Sequence, residues 1–527
     1  MVANLPAFPR MSSAAGTGYT LGVPPDHRPL TPDHSAFMPE AAASPRFRSL
    51  ARVTGPLLCV LLILFGPAEL TPEARRTLGI AAWMVIWWIT ECVPIITTSL
   101  LPLVLFPLLG VSSTRDAAVP YANELVFLFM GGFFLAAALE QWESHVRVAY
   151  RMVLGIGLSG RRVVLGVMLA TGFISMWISN TATAAMMYPI AMAIGALFAR
   201  DAAGDNARTA LMLGVAYAAS IGGMATLIGT PPNLVVAGAI KELTGTSISF
   251  VQFMALGLPI TLLLLPLCWF LLVYVSFPGR GRIEGGADGM LRSRLEGLGP
   301  IRGGEARVLI IFVCTALAWF LRERKDFGGF SIPGLVDLFP RLSDAAIGVA
   351  AAVLLFIVPG TTRTGERRPL LTWAEARMIP WDVLLFFGAG LTLANAIETH
   401  GITTWMGTWL EGLRGLPPVV IYLGLAVTVL VLSELASNLA VAAMMMPIAA
   451  ALAQSVGQPP VLLMLVAGFA SSTGFMLPVA TPPNAIVFGS GMISVRQMAR
   501  AGILVDVAGV LLIVTVIALV APLVFGP

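Results

Sequence analysis

The chain's 527 residues are 57% hydrophobic and 11% charged, with a mean hydropathy of +0.86 and a net charge of +4. A soluble domain carries about 25% charged residues, so this chain cannot cover a water-facing surface, and most of what it exposes must meet lipid. The small positive charge rests almost wholly on arginine, with Lys241 and Lys325 as the only lysines, and it implies no nucleic-acid partner.

Residues 1–45 are rich in Pro, Ser and Ala, hold His27 and His34, and contain no apolar run. No apolar core follows a basic start, so the segment reads as a disordered tail rather than a signal peptide, with Met11 and Met38 as alternative starts. Beyond it, apolar stretches recur at 53–69, 78–95, 97–112, 122–141, 209–240, 253–277, 307–321, 343–359, 380–398, 460–492 and 502–525. Their lengths predict an all-α polytopic membrane protein. The stretch 307–321 is the weakest of them.

Two further apolar segments, 163–199 and 416–455, are each interrupted by a polar cluster. Each reads as two spans or as one re-entrant hairpin. With both re-entrant and the N-terminus inside, the inner loops collect Arg147, Arg151, Arg161, Arg162, Arg200, Arg208, the arginines of 280–307, Arg363, Arg367, Arg368, Arg377, Arg496 and Arg500. The outer loops hold fewer basic residues. That asymmetry favours about 11 transmembrane helices plus two re-entrant hairpins, a cytoplasmic N-terminus and an outside C-terminus. The cell (inner) membrane is the expected location.

The interrupted segments are copies. Residues 179–191, SNTATAAMMYPIA, match residues 437–449, SNLAVAAMMMPIA, at ten of thirteen positions. Gly229-Thr230-Pro231-Pro232-Asn233 returns as Ala480-Thr481-Pro482-Pro483-Asn484, and FLFMGGFFLA (127–136) as LLFFGAGLTL (384–393). An odd number of crossings separates the copies, so they are expected to be inverted. Inverted repeats with broken helices mark secondary transporters. The expected division is a tail (1–45), N-terminal scaffold helices (46–112), a first inverted repeat (113–277) around hairpin 163–199, a cytoplasmic linker (278–306), and a second repeat (307–527) around hairpin 416–455.

Ser179-Asn180-Thr181 and Ser437-Asn438 each precede a run of good helix formers, so each reads as a hairpin tip capping a new helix. Such a tip offers N–H groups and the positive end of a helix dipole to an anion. No Lys or Arg lies in the motif helices. A buried arginine would cost roughly 2.5–3.5 kcal/mol on insertion scales. The paired prolines remove donors and open their helices, freeing carbonyls around Gly229 and Ala480 that suit a hard cation such as sodium. Glu91 and Glu434 lie in or beside apolar runs and either carry protons or organise the tips through backbone and hydroxyl groups, the second role being favoured. The histidines, with His145 and His400 in loops, form no metal cluster. Cys59, Cys92, Cys268 and Cys314 read as small buried hydrophobes. Hydrolase and nucleotide-binding motifs are missing from the sequence, so no enzyme is expected.

At these residues the chain resembles the divalent anion/sodium symporter family, over about residues 50–527. The carriers of the likeness are Ser179-Asn180-Thr181, Ser437-Asn438, both Thr-Pro-Pro-Asn runs and Ile89-Thr90-Glu91. The resemblance implies a homodimer in the bilayer, with a scaffold and an elevator-like transport domain, that co-transports sodium with a small divalent anion such as a C4-dicarboxylate. It implies one sodium site at Ser175, Ser179, Asn180 and Gly229, and a second at Ser433, Ala436, Asn438 and Ala480. Substrate carboxylates would meet Ser179, Asn180, Thr181, Ser437, Asn438, Thr481 and Pro482. Leu439 stands where the family has Thr. A sodium–sulfate symporter and a sodium-independent dicarboxylate exchanger remain alternatives of the same fold, and an anion channel is the alternative of another class.

The tail is too poor in apolar residues to order itself. Starting the chain at Met38 is expected to leave transport per inserted molecule unchanged, measured at equal surface level; a large loss of specific activity would contradict this.

Overall fold

A computed structural model describes residues 45–526, apart from 158, 280, 284–286, 302 and 327–330. The tail reading and parts of the linker therefore lie outside the described residues. The first helices are α1 (Pro45–Phe65), α2 (Pro72–Thr90), an apolar segment α3 (Ile95–Leu108) and α4 (Glu124–Gln141). Local chemistry sets their ends. Thr71 caps α2 by accepting from Ala74 N at 3.2 Å, with Pro72 at the first helical position, and α2 stops at Glu91, whose φ of 44° is left-handed. Asn123 caps α4 in the same way, through Leu125 N.

The remaining helices fall into two matching series. The first runs α4, α5 (Ser144–Ile156), α6 (Gly160–Ser175), α7 (Asn180–Gly195), α8 (Ala202–Gly223), α9 (Pro231–Thr244) and α10 (Phe250–Phe270). A linker helix (Ala287–Gly297), α11 (Gly303–Phe320) and α12 (Asp344–Ile357) follow. The second series is α13 (Trp381–Thr399), α14 (Ile402–Trp409), α15 (Pro418–Leu435), α16 (Asn438–Val456), α17 (Pro460–Ala470), α18 (Pro482–Phe488) and α19 (Val495–Phe525). Each member of the first series has its counterpart, in order, in the second. The match reaches the caps: α10 and α19 both open on a Ser-x-x-Gln capping box, Ser249–Gln252 and Ser494–Gln497. The strands are two small antiparallel ribbons; in one, Pro359–Thr361 pairs with Arg367–Pro369 in the register Gly360 to Arg368.

Among the described residues, eight helical segments are long and apolar enough to cross a bilayer, and Ile95–Leu108, Asp344–Ile357 and Pro460–Ala470 are shorter apolar helices. The weak stretch 307–321 is a full helix of 18 residues, α11. The stretches 209–240 and 460–492 are not continuous: each is two helices separated at the double proline. Both α15 and α16 are long enough to span alone, so length does not separate a re-entrant hairpin from two crossings; either path returns the chain to its starting side. Two smaller readings are corrected. His145 lies in helix α5 rather than a loop, because Glu143 turns the chain with a φ of 52° and the helix starts at once. Cys314 is exposed, on the same apolar face of α11 as the exposed Ile310, Val313 and Leu317, whereas the other three cysteines are buried.

Packing groups the helices. Helices α1, α2, α4, α11, α12 and α13 pack among themselves, as do α6 to α10 with α15 to α19. Close approach demands glycine where a helix lies on a broken segment. A Cβ on Gly257 would sit 2.2 Å from the Met224 carbonyl, and one on Gly502 would sit 2.4 Å from the Phe475 carbonyl. So α10 and α19 rest directly on the two breaks, at matching points of the two series, as small residues permit in membrane helices.

Candidate cation and anion site

The first tip lies between α6 and α7. Ser175 is fully buried at the end of α6, and its hydroxyl lies 2.9 Å from Asn180 Oδ1 and 2.7 Å from the Ala219 carbonyl. One hydroxyl hydrogen serves only one of these acceptors, so the cluster is over-supplied with oxygen lone pairs. Asn180 Nδ2 donates to Thr230 Oγ1 at 3.3 Å, which aims Oδ1 inward. Gly223 carries no side chain because the Asn180 Oδ1 occupies its place: a Cβ there would lie 2.1 Å from that oxygen. Gly229 lies against Gly223 in turn, 2.5 Å from its carbonyl for a Cβ.

The second tip, between α15 and α16, repeats the serine–asparagine–carbonyl arrangement. Ser433 is buried at the end of α15, its hydroxyl 2.8 Å from Asn438 Oδ1 and 2.5 Å from the Ser471 carbonyl. The Asn438 amide atom that faces Ser433 also stands 3.1 Å from the Ser471 carbonyl and 3.3 Å from the Ala480 carbonyl. Turned with Nδ2 inward, the amide has two hydrogens to share among these three acceptors. Turned with Oδ1 inward, as Asn180 stands in the first copy, it completes an oxygen-only cluster of the kind that suits a hard cation. The residues present therefore fit sodium as cargo.

The Thr-Pro-Pro-Asn asparagines act differently from the expected freeing of carbonyls alone. Asn233 Nδ2 donates to the Gly223 and Thr226 carbonyls at 2.9 and 2.8 Å, and Asn484 Nδ2 to the Gly474 and Leu477 carbonyls, both at 3.0 Å. Each asparagine ties off two carbonyls of its opened segment and holds the rest in place. The amide is the donor the two prolines cannot provide.

The tips behave as caps. Ser179 is the N-cap of α7 and accepts from Ala182 N at 3.4 Å, while Ser437, the N-cap of α16, makes no side-chain cap bond. Ala436 is the extended residue of the second turn. Thr181, Ser437 and Asn438 are half-buried, Thr481 is buried as the N-cap of α18, Pro482 is exposed, and Leu439 is buried in the core cluster. The two breaks meet through a crossed pairing: α7 packs on α18, and α16 packs on α9. Each hairpin's second helix thus faces the helix that follows the other copy's double proline.

Several contributors escaped the sequence reading. Ala219 and Ser471 supply only backbone, and Gly223 supplies an absence. Asp506, buried in α19, was legible only as a lone acid in a long apolar run. Glu434 organises the second break, its carboxylate accepting from Met476 N and Leu477 N at 2.8 and 2.9 Å. Glu91, by contrast, is exposed at the end of α2. Among the described residues no group of three or more His, Cys, Asp or Glu is placed to hold a metal.

Broken helices paired across a duplicated bundle, with oxygen-rich clusters at the breaks, define a secondary transporter. The family profile described as the sodium:sulfate symporter transmembrane region matches residues 49–525, and the chain belongs to that family. Among curated relatives, it is similar to the sodium-dependent dicarboxylate transporter SdcS of Staphylococcus saprophyticus, 40% identical over 484 residues that cover 90% of this chain and 91% of that one. SdcS of Staphylococcus aureus strain USA300 is 39% identical over 483 residues, with the same coverage. Among solved structures, the YdaH transporter of Alcanivorax borkumensis has a TM-score of 0.49 at 13% identity, covering 78% of this chain and 88% of that one.

The two glycines that accommodate the site asparagines differ in clearance. A Cβ on Gly223 would strike Asn180 Oδ1 at 2.1 Å, whereas one on Gly474 would lie 3.5 Å from Asn438 Oδ1. Overpacking costs roughly 1–3 kcal/mol, so Gly223→Ala is expected to lower transport about ten-fold or more at equal membrane level, and Gly474→Ala far less. Equal losses in an uptake assay would contradict the assignment of the first cluster.

Proposed function

We propose that this chain imports small divalent anions, foremost C4-dicarboxylates such as succinate, malate and fumarate, coupled to sodium. The observation that carries the reading is the duplicated Ser–Asn–carbonyl cluster, with Ser175, Asn180 and the Ala219 carbonyl in one copy and Ser433, Asn438 and the Ser471 and Ala480 carbonyls in the other; Gly229 is proposed to add its carbonyl to the first. Each is rich in acceptors, and neither contains a basic side chain. Two sodium ions would balance the oxygens there, with Ser179 and Ala436 completing the shells. A dianion beside them then needs only helix N-terminal N–H groups and short polar side chains, namely Ser179, Asn180, Thr181, Ser437, Asn438 and Thr481, with Pro482 shaping the wall. Without sodium those oxygens repel a carboxylate, and that repulsion is the source of coupling. The dicarboxylate choice is supported by the names of the SdcS relatives. Sulfate is the second reading, favoured by the description of the family profile.

The inverted arrangement of the two series, an elevator movement of α6 to α10 with α15 to α19, a homodimer, a cytoplasmic N-terminus and the inner membrane complete the proposal. The test is uptake of labelled succinate and sulfate into vesicles with and without sodium. Succinate uptake that vanishes without sodium is expected. Asn180→Ala and Asn438→Ala should each raise the sodium needed for half-maximal uptake several-fold, since a bond to a charged group is worth about 1.5–3 kcal/mol. A wild-type sodium response in either variant would show that its cluster is misassigned, and persistent uptake without sodium would point to exchange.

Leu439 takes the repeat position of Thr181 and offers bulk in place of a hydroxyl. Leu439→Thr is expected to broaden acceptance or strengthen dicarboxylate affinity by up to about ten-fold. Unchanged affinity for succinate, citrate and sulfate, at normal expression, would place Leu439 in helix packing alone.

A further inference from the structure

The duplicated frame shows a contrast, away from both clusters, at the outer surface of its helices. Arg161 and Arg162 stand at the start of α6, and Trp269, Phe270 and Tyr274 stand at and just beyond the end of α10. Counted from the tip serines Ser175 and Ser433, the second copy has Val419 and Val420 at the points of the two arginines. Counted from the cap serines Ser249 and Ser494, it has Val514, Thr515 and Leu519 at the points of the three rings. The fold is thus built without arginines or aromatic rings at these points, and their presence in the first copy has another cause.

The backbone differs there too. Helix α10 runs on into a π-turn, Leu271–Ser276, closed by Phe277 N donating five residues back to the Leu272 carbonyl at 2.9 Å, whereas α19 is α-helical over all its 31 residues. Such turns are uncommon and concentrate at functional sites. This one lets Tyr274 meet the rings four and five residues earlier. It stacks on Phe270 with centroids 5.1 Å apart and meets Trp269 edge-on at 5.6 Å. The Arg161 guanidinium lies 4.1 Å from the Tyr274 ring centroid, its Nε donates to the Gly279 carbonyl at 3.1 Å, and the Arg161 carbonyl accepts from Trp269 Nε1 at 3.0 Å. The fork is held in place, yet its two terminal nitrogens have no hydrogen-bond partner among the described residues. No Asp or Glu of the described residues pairs with Arg161 or with the exposed Arg162, and the first turn of α6 holds no acid. Two cations in the first turn of a helix also oppose its dipole, so an anion is the missing partner.

Depth and shape say which anion. Phe250–Ser276 is an apolar helical segment of 27 residues, about 40 Å at 1.5 Å per residue, enough to reach from one headgroup layer to the other. Tyr274 and the Arg161 that covers it therefore stand at headgroup level. Leu263, Leu267 and Phe270 continue the Tyr274 face of α10 into the bilayer, spaced as one helix face requires, and all of them are exposed.

We propose that this cluster binds one anionic phospholipid, its phosphate on the free nitrogens of Arg161 with Arg162 beside them, and an acyl chain along the Leu263–Leu267–Phe270 face. A guanidinium fork matches phosphate oxygens, and stacking on Tyr274 presets its plane. A zwitterionic headgroup brings its own cation toward the two arginines and is disfavoured. The proposal requires only that α10 spans the bilayer and is independent of the sodium and substrate readings.

The test is native mass spectrometry of the full-length transporter released from micelles that hold equal amounts of dioleoylphosphatidylglycerol and dioleoylphosphatidylcholine. Wild type is expected to retain one phosphatidylglycerol per chain, about ten-fold in preference to phosphatidylcholine, and Arg161→Gln to lose that preference. Tyr274→Leu is expected to weaken retention about three-fold. Arg200→Gln removes the same charge from an exposed arginine of the turn between α7 and α8 and is expected to stay within about two-fold of wild type. Arg161→Lys stands in if the glutamine variant fails to reach the membrane; its ammonium lacks the fork and is expected to cost about three-fold. Equal retention of the two lipids by wild type, or equal losses in Arg161→Gln and Arg200→Gln, would overturn the site and leave only diffuse attraction between basic loops and anionic lipid. Displacement of the retained lipid by millimolar inorganic phosphate would overturn the lipid as occupant and leave a site for the free ion.

Discussion

A helix broken inside a membrane must satisfy its freed backbone groups from within the protein, because lipid offers none. Everything at the centre of this molecule follows from that demand. Each double proline removes donors, and the asparagine after it, Asn233 or Asn484, returns a donor to two of the carbonyls left over. The carbonyls and amide oxygens still unmatched are gathered by one serine and one asparagine from the neighbouring tip. The same feature that makes the break tolerable in lipid thus creates a surplus of acceptors, and that surplus is the ground for the proposed cation sites.

The surplus also explains the composition of the tips. Helix N-termini and short polar side chains hold an anion weakly, and a cation beside them makes the binding conditional. An arginine in the same place would make the anion's binding unconditional and its release slow. Glycine stands where the tip oxygens or the resting helices come closest: Gly223 against Asn180, Gly257 and Gly502 against the two breaks. Large apolar residues fill the remaining volume; Tyr217 lies against Phe475, their ring centroids 5.1 Å apart, beneath the second break.

Much of this was legible in the sequence because it is written twice. The Ser-Asn tips, the double prolines and the family resemblance stood out as repeated polar islands in apolar sequence, and the helices expected from hydropathy appear in order. What was not legible came from atoms that sequence patterns do not mark. The carbonyls of Ala219 and Ser471 belong to residues of no fixed chemistry, and the clearance at Gly223 depends on a contact 43 positions away in the chain, with Asn180. Asp506 sits 72 residues after Glu434, and only the crossing of α15 and α19 brings the two acids together. Nor could hydropathy divide hairpin from double crossing, because α15 and α16 are each long enough for both.

The account's central claim is that two equivalent Ser–Asn–carbonyl clusters hold sodium on either side of one anion. The most direct measurement is an experimental density map of the protein in lipid, at a resolution that shows ions, with succinate in saturating sodium and again with sodium replaced by choline. The account predicts one ion peak between Ser175, Asn180 and the Gly229 segment, and a second between Ser433, Asn438 and Ala480. It also predicts anion density at both tips that disappears with the ions. Anion density that persists in choline, or that is held by an arginine or lysine side chain, would contradict it.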